Sequence, residues 1–257
     1  MKQTVLLTGA SSGIGYEMAK IFAANHYHLI LIARNKLKLE EIKQELNNPQ
    51  IEITVIVKDL SVPGAANEVY KEIKQLNKHV DILVNNAGYG MTGPFFELDL
   101  NKQMNMIQLN IIALTELTHL FVQDMIKNNF GRIINVGSVA SFVATPTMSV
   151  YAATKAFVLS FSESLHSELK QKGDIAVTAL CPGPTKTNFA TVANVGHLEE
   201  IFNVHGTTAQ EVALSGYNAM KKELPVVVPG WKFRSMVGLT RLLPRQLLQK
   251  ILSKTNK

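Results

Sequence analysis

Short β-branched runs alternate with longer segments of helical period through most of the first 180 residues, and this alternation constrains the fold more than any other feature of the chain. Strands are expected at Thr4 to Thr8, His28 to Ala33, Ile51 to Val57, Ile82 to Asn85, Arg132 to Val136 and Ile175 to Leu180. Helices are expected at about Gly13 to Asn25, Lys36 to Leu46, Gly64 to Asn77, Asn101 to Asn128 and Tyr151 to Lys170. Units in this order, joined by right-handed crossovers, build an α/β fold: a doubly wound parallel sheet with helices on both faces. After Pro184 the alternation weakens. Residues 184 to 222 read as helices and loop, Val226 to Val228 as a last short strand, and Lys232 to Leu252 as one or two basic amphipathic helices.

No repeat, low-complexity tract or linker interrupts the pattern, so the expectation is a single domain over 1–257. Within it, 1–183 reads as a cofactor-binding and catalytic core, 184–222 as a substrate lid region and 223–257 as a basic C-terminal extension. The 46% hydrophobic and 18% charged composition excludes a disordered chain. Cys181 is the only cysteine, which rules out an internal disulfide and suits a reducing compartment; with no signal peptide or apolar span apparent, a cytoplasmic location is expected. The net charge of +6 is concentrated at the end, where residues 221 to 257 hold nine Lys or Arg against Glu223 alone. Only Trp231 and Phe233 interleave with that charge, which leaves a nucleic-acid partner without a motif.

In a doubly wound sheet ligands bind beyond the carboxyl ends of the strands. Thr8-Gly9-Ala10-Ser11-Ser12-Gly13-Ile14-Gly15 lies between the first strand and first helix, where a glycine turn lets a pyrophosphate approach the backbone and the helix N-terminus. That context makes the fold Rossmann-type. At the end of the second strand, where NAD sites usually carry an acid for the ribose, this chain has Arg34. A guanidinium grips a 2′-phosphate and no acid stands beside it in the sequence to repel one, so NADP(H) is favoured, with NAD(H) possible.

Tyr151 and Lys155 are four apart in a helical segment and share a face, so the ammonium is expected to lower the phenol pKa from its usual ~10. Gly137-Ser138 ends the strand just before that helix and puts a hydroxyl at the same edge. With the glycine turn, Asp59-Leu60, Asn85-Asn86-Ala87-Gly88, Ser138, Tyr151-x-x-x-Lys155 and Pro182-Gly183 in order, the chain resembles the short-chain dehydrogenase/reductase superfamily over residues 3 to about 190.

The resemblance implies that Gly9, Ser11, Ser12, Gly13, Ile14 and Gly15 hold the pyrophosphate, Arg34 the 2′-phosphate, and Asp59 with Leu60 the adenine. It places Asn86, Ala87 and Gly88 along the cofactor, Lys155 also on the nicotinamide ribose, and Pro182, Gly183, Thr185 and Thr187 at the carboxamide. Asn110, a polar residue inside an apolar helix, then anchors a water that relays protons to Lys155. The implied reaction interconverts a ketone or aldehyde and an alcohol: Ser138 polarises the carbonyl, the nicotinamide delivers hydride and Tyr151 gives the proton, with no metal. Many NADP-preferring members carry a basic residue where this chain has Ser12, so the phosphate preference rests on Arg34. Homo-oligomers are also implied, through the long helices around Asn101 to Asn128 and Tyr151 to Lys170.

Tyr89, Met91, Phe95, Phe142, Val143, Met148 and Phe189 lie in the loops after the fourth to sixth strands and suggest a pocket for a hydrophobic carbonyl. For the basic tail, packing over the pocket or an oligomer contact is favoured over contact with an anionic membrane surface. His26, His28 and His166 read as ordinary surface or core residues. A cofactor-sensing regulator or scaffold on the same fold is the alternative function, and the complete Asn110, Ser138, Tyr151, Lys155 set argues against it. An epimerase or dehydratase usually needs a larger substrate domain than this chain has room for.

Overall fold

The computed structural model describes residues 2–187 and 206–242. Strands β1 (Thr4–Thr8), β2 (His28–Ala33), β3 (Ile53–Val57), β4 (Ile82–Asn85), β5 (Phe130–Val136) and β6 (Asp174–Leu180) alternate with helices α1 (Gly13–Ala24), α2 (Lys36–Glu45), α3 (Ala65–Gln75), α4 (Leu100–Ile107), α5 (Leu114–Lys127) and α6 (Ser149–Leu169). With β9 (Val226–Val227) these strands form one seven-stranded sheet in the order β3-β2-β1-β4-β5-β6-β9, every neighbouring pair parallel. Two further short strands, β7 (Thr185–Lys186) and β8 (Thr207–Thr208), pair beside it, followed by α7 (Ala209–Lys221) and α8 (Trp231–Leu242).

Strand alternation sends side chains to opposite faces. Val5 and Leu7 pack on one face with Met18 and Phe22 of α1 and Val212 of α7. Leu6 packs on the other with Val69 and Ile73 of α3 and Phe121 of α5. Burial on both faces explains why these strands read as unbroken apolar runs.

The structure moves several expected boundaries. β3 starts at Ile53 because the Ile51 N–H turns back to the Asn48 carbonyl. β5 and β6 start at Phe130 and Asp174 because those two residues already pair across the ladder. Gly64, left-handed at φ 83°, caps α3 and stays outside it. The expected single helix Asn101 to Asn128 is broken by a π-helical turn, Gln108–Ala113, centred on Asn110. The last strand ends at Val227, and the 184 to 222 region contains a strand pair as well as α7. Phe189, with the rest of 188–205, and the tail beyond Leu242 lie outside the described residues.

Candidate active site

Chain order reverses direction across the sheet between β1 and β4, so the loops after these strands part and leave a crevice at the carboxyl edge. Thr8 and Asn86 set its width. The Thr8 hydroxyl accepts the Asn86 and Ala87 N–H groups, both at 3.0 Å, and the Asn86 amide donates to the Thr8 and Gly9 carbonyls at 2.9 and 3.1 Å. Asn86, expected along the cofactor, therefore holds the two loops together, and Thr8 is a positioning residue that the sequence reading did not assign.

Two glycines are required by this clamp. Gly9 has φ +65°, and a Cβ there would lie 2.7 Å from the Asn86 amide nitrogen. A Cβ on Gly15 would lie 2.2 Å from the Gly9 carbonyl oxygen. Ser11, Ser12, Gly13 and Ile14 complete the turn into α1, whose first N–H groups, as at any helix start, have no carbonyl partner within the helix. Thr187 approaches this turn, its methyl 3.1 Å from the Cβ position of Gly13. Thr185 is buried with its hydroxyl on the Gly183 carbonyl at 2.9 Å, beside Pro182. A cradle with glycine where side chains would fill it, opening on a helix N-terminus, fits a dinucleotide pyrophosphate.

Arg34 lies at the end of β2, 78% exposed, and Asp59 follows β3 with Leu60 buried beneath it. The guanidinium is 3.9 Å from the Asp59 carboxylate. This corrects the expectation that no acid stands beside Arg34: the acid comes from the neighbouring strand, which sequence proximity does not reveal. Burial pushes Asp59 upward, but hydrogen bonds from the Ser61 hydroxyl and N–H, with the charge of Arg34, hold it below the usual carboxylate range. At 3.9 Å and this exposure the pair constrains Arg34 little, so its guanidinium remains able to meet a phosphate.

The candidate catalytic groups converge under the ends of β4 and β5. Ser138 caps the short 3₁₀ turn Val139–Ser141: its Oγ accepts the Ala140 N–H at 3.1 Å, and its own N–H points to Ser141 Oγ at 3.3 Å. Ser141 Oγ in turn donates to the Lys155 carbonyl at 2.7 Å, tying the serine turn to α6. Tyr151 is 7% exposed and hydrogen-bonds to Ser138. Lys155 is 6% exposed, with Nζ donating to the Val136 carbonyl at 2.8 Å and lying 5.9 Å from the Tyr151 ring centre. Gly88 completes the cluster, since a Cβ there would sit 2.9 Å from Asn110 Oδ1 and 3.4 Å from Lys155 Nζ.

Asn110 bonds to the backbone of Tyr89 in both directions, accepting its N–H at 3.2 Å and donating to its carbonyl at 3.0 Å. It also donates to Thr154 Oγ at 3.1 Å, one residue before the lysine. Three fixed partners on a loop and on α6 account for the local π turn, a distortion common at functional sites.

Burial changes the expected protonation. It pushes the Tyr151 phenol up to about 12, with the Ser138 hydrogen bond pulling the other way. It pulls Lys155 down to about 8. The expectation that Lys155 lowers the tyrosine is therefore corrected: desolvation dominates, and the ammonium is anchored on a backbone carbonyl instead.

Of the expected pocket residues, Met91, Val143 and Met148 are half-buried, whereas Phe95 is exposed and Phe142 packs into the core with Phe233. Tyr89 is held by its hydroxyl on the Lys102 carbonyl at 2.8 Å. His28 accepts the Glu52 N–H and His166 contacts the Val177 backbone, so both work in the scaffold. A cleft of about 420 Å³ lined by Thr4, His28, Glu52 and His79 lies at the opposite, amino-terminal edge, away from Ser138, Tyr151 and Lys155.

A phosphate cradle and a buried acid–base set on one sheet edge define a class: oxidoreductases whose chemistry is carried by a bound nicotinamide nucleotide while the protein positions and polarises. The model of the short chain dehydrogenase family matches residues 3–196, and the chain belongs to that family, enzymes that act on alcohols and carbonyls. It is 34% identical over 236 residues to dehydrogenase/reductase SDR family member 7B of Xenopus laevis, a match covering 86% of this chain and 73% of that protein. A short-chain dehydrogenase from Sphingobium yanoikuyae in complex with NADPH superposes with a TM-score of 0.83 at 30% identity, covering 93% of this chain and 94% of that one. The bulky-bulky ketone specific alcohol dehydrogenase from Comamonas testosteroni gives 0.78 at 29% identity over 93% and 92%.

Proposed function

We propose that this chain is an NADP(H)-dependent reductase of lipophilic ketones or aldehydes, with Tyr151 as proton donor and NAD(H) accepted more weakly. The observation that carries the reading is the buried Tyr151–Ser138 pair, whose phenol keeps its proton at neutral pH. When bound, the reduced nicotinamide supplies the hydride. Ser138, fixed by its turn, presents its hydroxyl to the carbonyl oxygen, and that oxygen takes the Tyr151 proton as the carbon gains hydride, so that C=O becomes CH–OH. Asn110 and Thr154 hold α6 against the Tyr89 loop, and Lys155 restores the proton on Tyr151.

Arg34 supports NADP(H), as does the NADPH held by the Sphingobium relative. Met91, Val143 and Met148, half-buried in the loops after β4 and β5, together with the bulky-bulky ketone specificity in the name of the Comamonas relative, support a lipophilic substrate. Turnover on a panel of aryl and long-chain ketones with NADPH is expected, with small polar ketones poor. Arg34→Asp should move the NADPH-to-NADH preference by a factor on the order of 10 to 100, one lost bidentate phosphate contact. Equal use of both nucleotides by wild type, or activity confined to small polar ketones, would reject the respective half of this reading.

The proposal extends to a cytoplasmic homo-oligomer joined through α4, α5 and α6. Leu100 and Met104 on α4, Ile112 on the π turn between α4 and α5, and Phe157 on α6 are large apolar side chains left exposed. Ile112→Glu combined with Phe157→Glu is expected to lower the sedimentation mass to that of one chain; an unchanged mass would put the contact elsewhere.

A further inference from the structure

Helix α8 presents two different apolar faces. Residues turn about 100° per position, so Phe233 and Val237 share one side while Trp231, Ser235 and Leu239 share the opposite one, with Met236 at the edge between the two sides. The inner side is packed: the Phe233 ring lies 2.7 Å from the Cβ position of Gly183, and Val237 is buried with Cys181 and Val228. The expectation that the tail buries its apolar residues internally therefore holds for these two. The outer side stays open in the single chain, where Trp231 is 73%, Leu239 57% and Met236 45% exposed.

Cations flank this outer face. Lys232 and Arg234 are exposed, and Lys232 Nζ lies 5.9 Å over the Trp231 ring. Among the described residues no acid is paired with either, and Glu223, the one acid in residues 221 to 257, is held by Arg132 at 2.7 Å. A tryptophan and two long aliphatic side chains bordered by unneutralised basic groups match the pattern of a helix lying in a membrane interface. A second copy docked through a twofold axis would bring the same cations against themselves, whereas lipid phosphates neutralise them.

We propose that α8 docks the protein on an anionic membrane surface. Trp231, Met236 and Leu239 enter the boundary between headgroups and acyl chains, and Lys232 and Arg234 engage lipid phosphates. The other side of the same helix, through Phe233, packs on Gly183 and reaches the core that holds Phe142 and Val139 of the serine turn. The reacting groups thus lie one helix away from the lipid. Docking itself does not depend on the reaction assigned above.

Trp231 is the chain's single tryptophan, so its fluorescence reports this face alone. Full-length protein is titrated with vesicles of phosphatidylcholine, and with vesicles of phosphatidylcholine mixed with phosphatidylglycerol, in low and high salt. The emission is expected to shift to the blue with the mixed vesicles in low salt and to stay unchanged with phosphatidylcholine alone. Co-sedimentation with the mixed vesicles should fall at least roughly tenfold in Trp231→Ser/Leu239→Ser, and also in Lys232→Glu/Arg234→Glu, while NADPH binding stays at the wild-type level and shows that the variants are folded. No shift with anionic vesicles would overturn the proposal, as would undiminished binding by either variant. A shift that appears without lipid, together with a doubling of mass, would assign the face to a second copy.

Discussion

Tyr151→Phe is expected to remove turnover by a factor on the order of 10³ while leaving nucleotide binding intact. The ring fills the same buried volume, and Ser138 keeps the Ala140 N–H that fixes its hydroxyl at 3.1 Å, so neither packing nor the carbonyl contact is lost. Only the proton is removed. A stability loss of about 1 kcal/mol, one buried hydrogen bond, is expected alongside. Steady-state rates paired with an NADPH titration check this: a loss of binding equal to the loss of rate would make Tyr151 a nucleotide contact and not the donor.

Lys155→Met is expected to abolish activity and to make the protein more stable at neutral pH. The ammonium is 6% exposed and its titration is drawn from 10.5 down to about 8 by burial, so the charged form is disfavoured in the folded chain. A group lowered in this way binds fewer protons folded than unfolded between those two values. Its favourable contribution is therefore present above pH 10.5 and is lost as pH falls through 8. At pH 7 the strain of holding the charge is on the order of 3 kcal/mol, of which the hydrogen bond to Val136 offsets about 1. The methionine variant should melt about 5 °C higher at pH 7, with the gain vanishing above pH 10.5. In wild type the same titration should make reductive kcat/KM fall as pH rises through about 8. Thermal melts across pH decide the matter: a variant less stable at pH 7 would mean that the lysine is structural and well solvated.

Much of this was legible in the sequence because its signals are local. β1, β2 and β4 have the expected ends, since each is an apolar run bounded by turn residues, and Tyr151, Lys155 and Ser138 meet because one helix turn and one strand end place them. What was hidden depends on neighbours distant in the chain. The break around Asn110 follows from bonds to Tyr89 and Thr154 that helical period cannot register. Asp59 stands beside Arg34 only because β3 lies next to β2. Burial, not the spacing of four residues, decides the protonation of Tyr151. Thr8 and Ser141 were overlooked as positioning residues although both sit inside recognisable turns, because their partners, Asn86 and Lys155, come from other strands and helices.

The scaffold thus separates two tasks. Hydrogen bonds between Thr8 and Asn86 fix the width of the nucleotide crevice, while Ser141 ties the serine turn to α6 and Asn110 ties α6 to the Tyr89 loop. Positioning of this kind supplies part of a catalyst's rate.

The central claim, that the chain moves hydride to a carbonyl with Tyr151 as donor, is tested most directly by single turnover with NADPH deuterated at the nicotinamide C4 and a lipophilic aryl ketone. The expected result is deuterium on the carbinol carbon with wild type, and retention of deuterium in bound NADPH with Tyr151→Phe. Transfer at the wild-type rate in Tyr151→Phe, or NADPH that binds tightly and reduces no carbonyl on the panel, would contradict it.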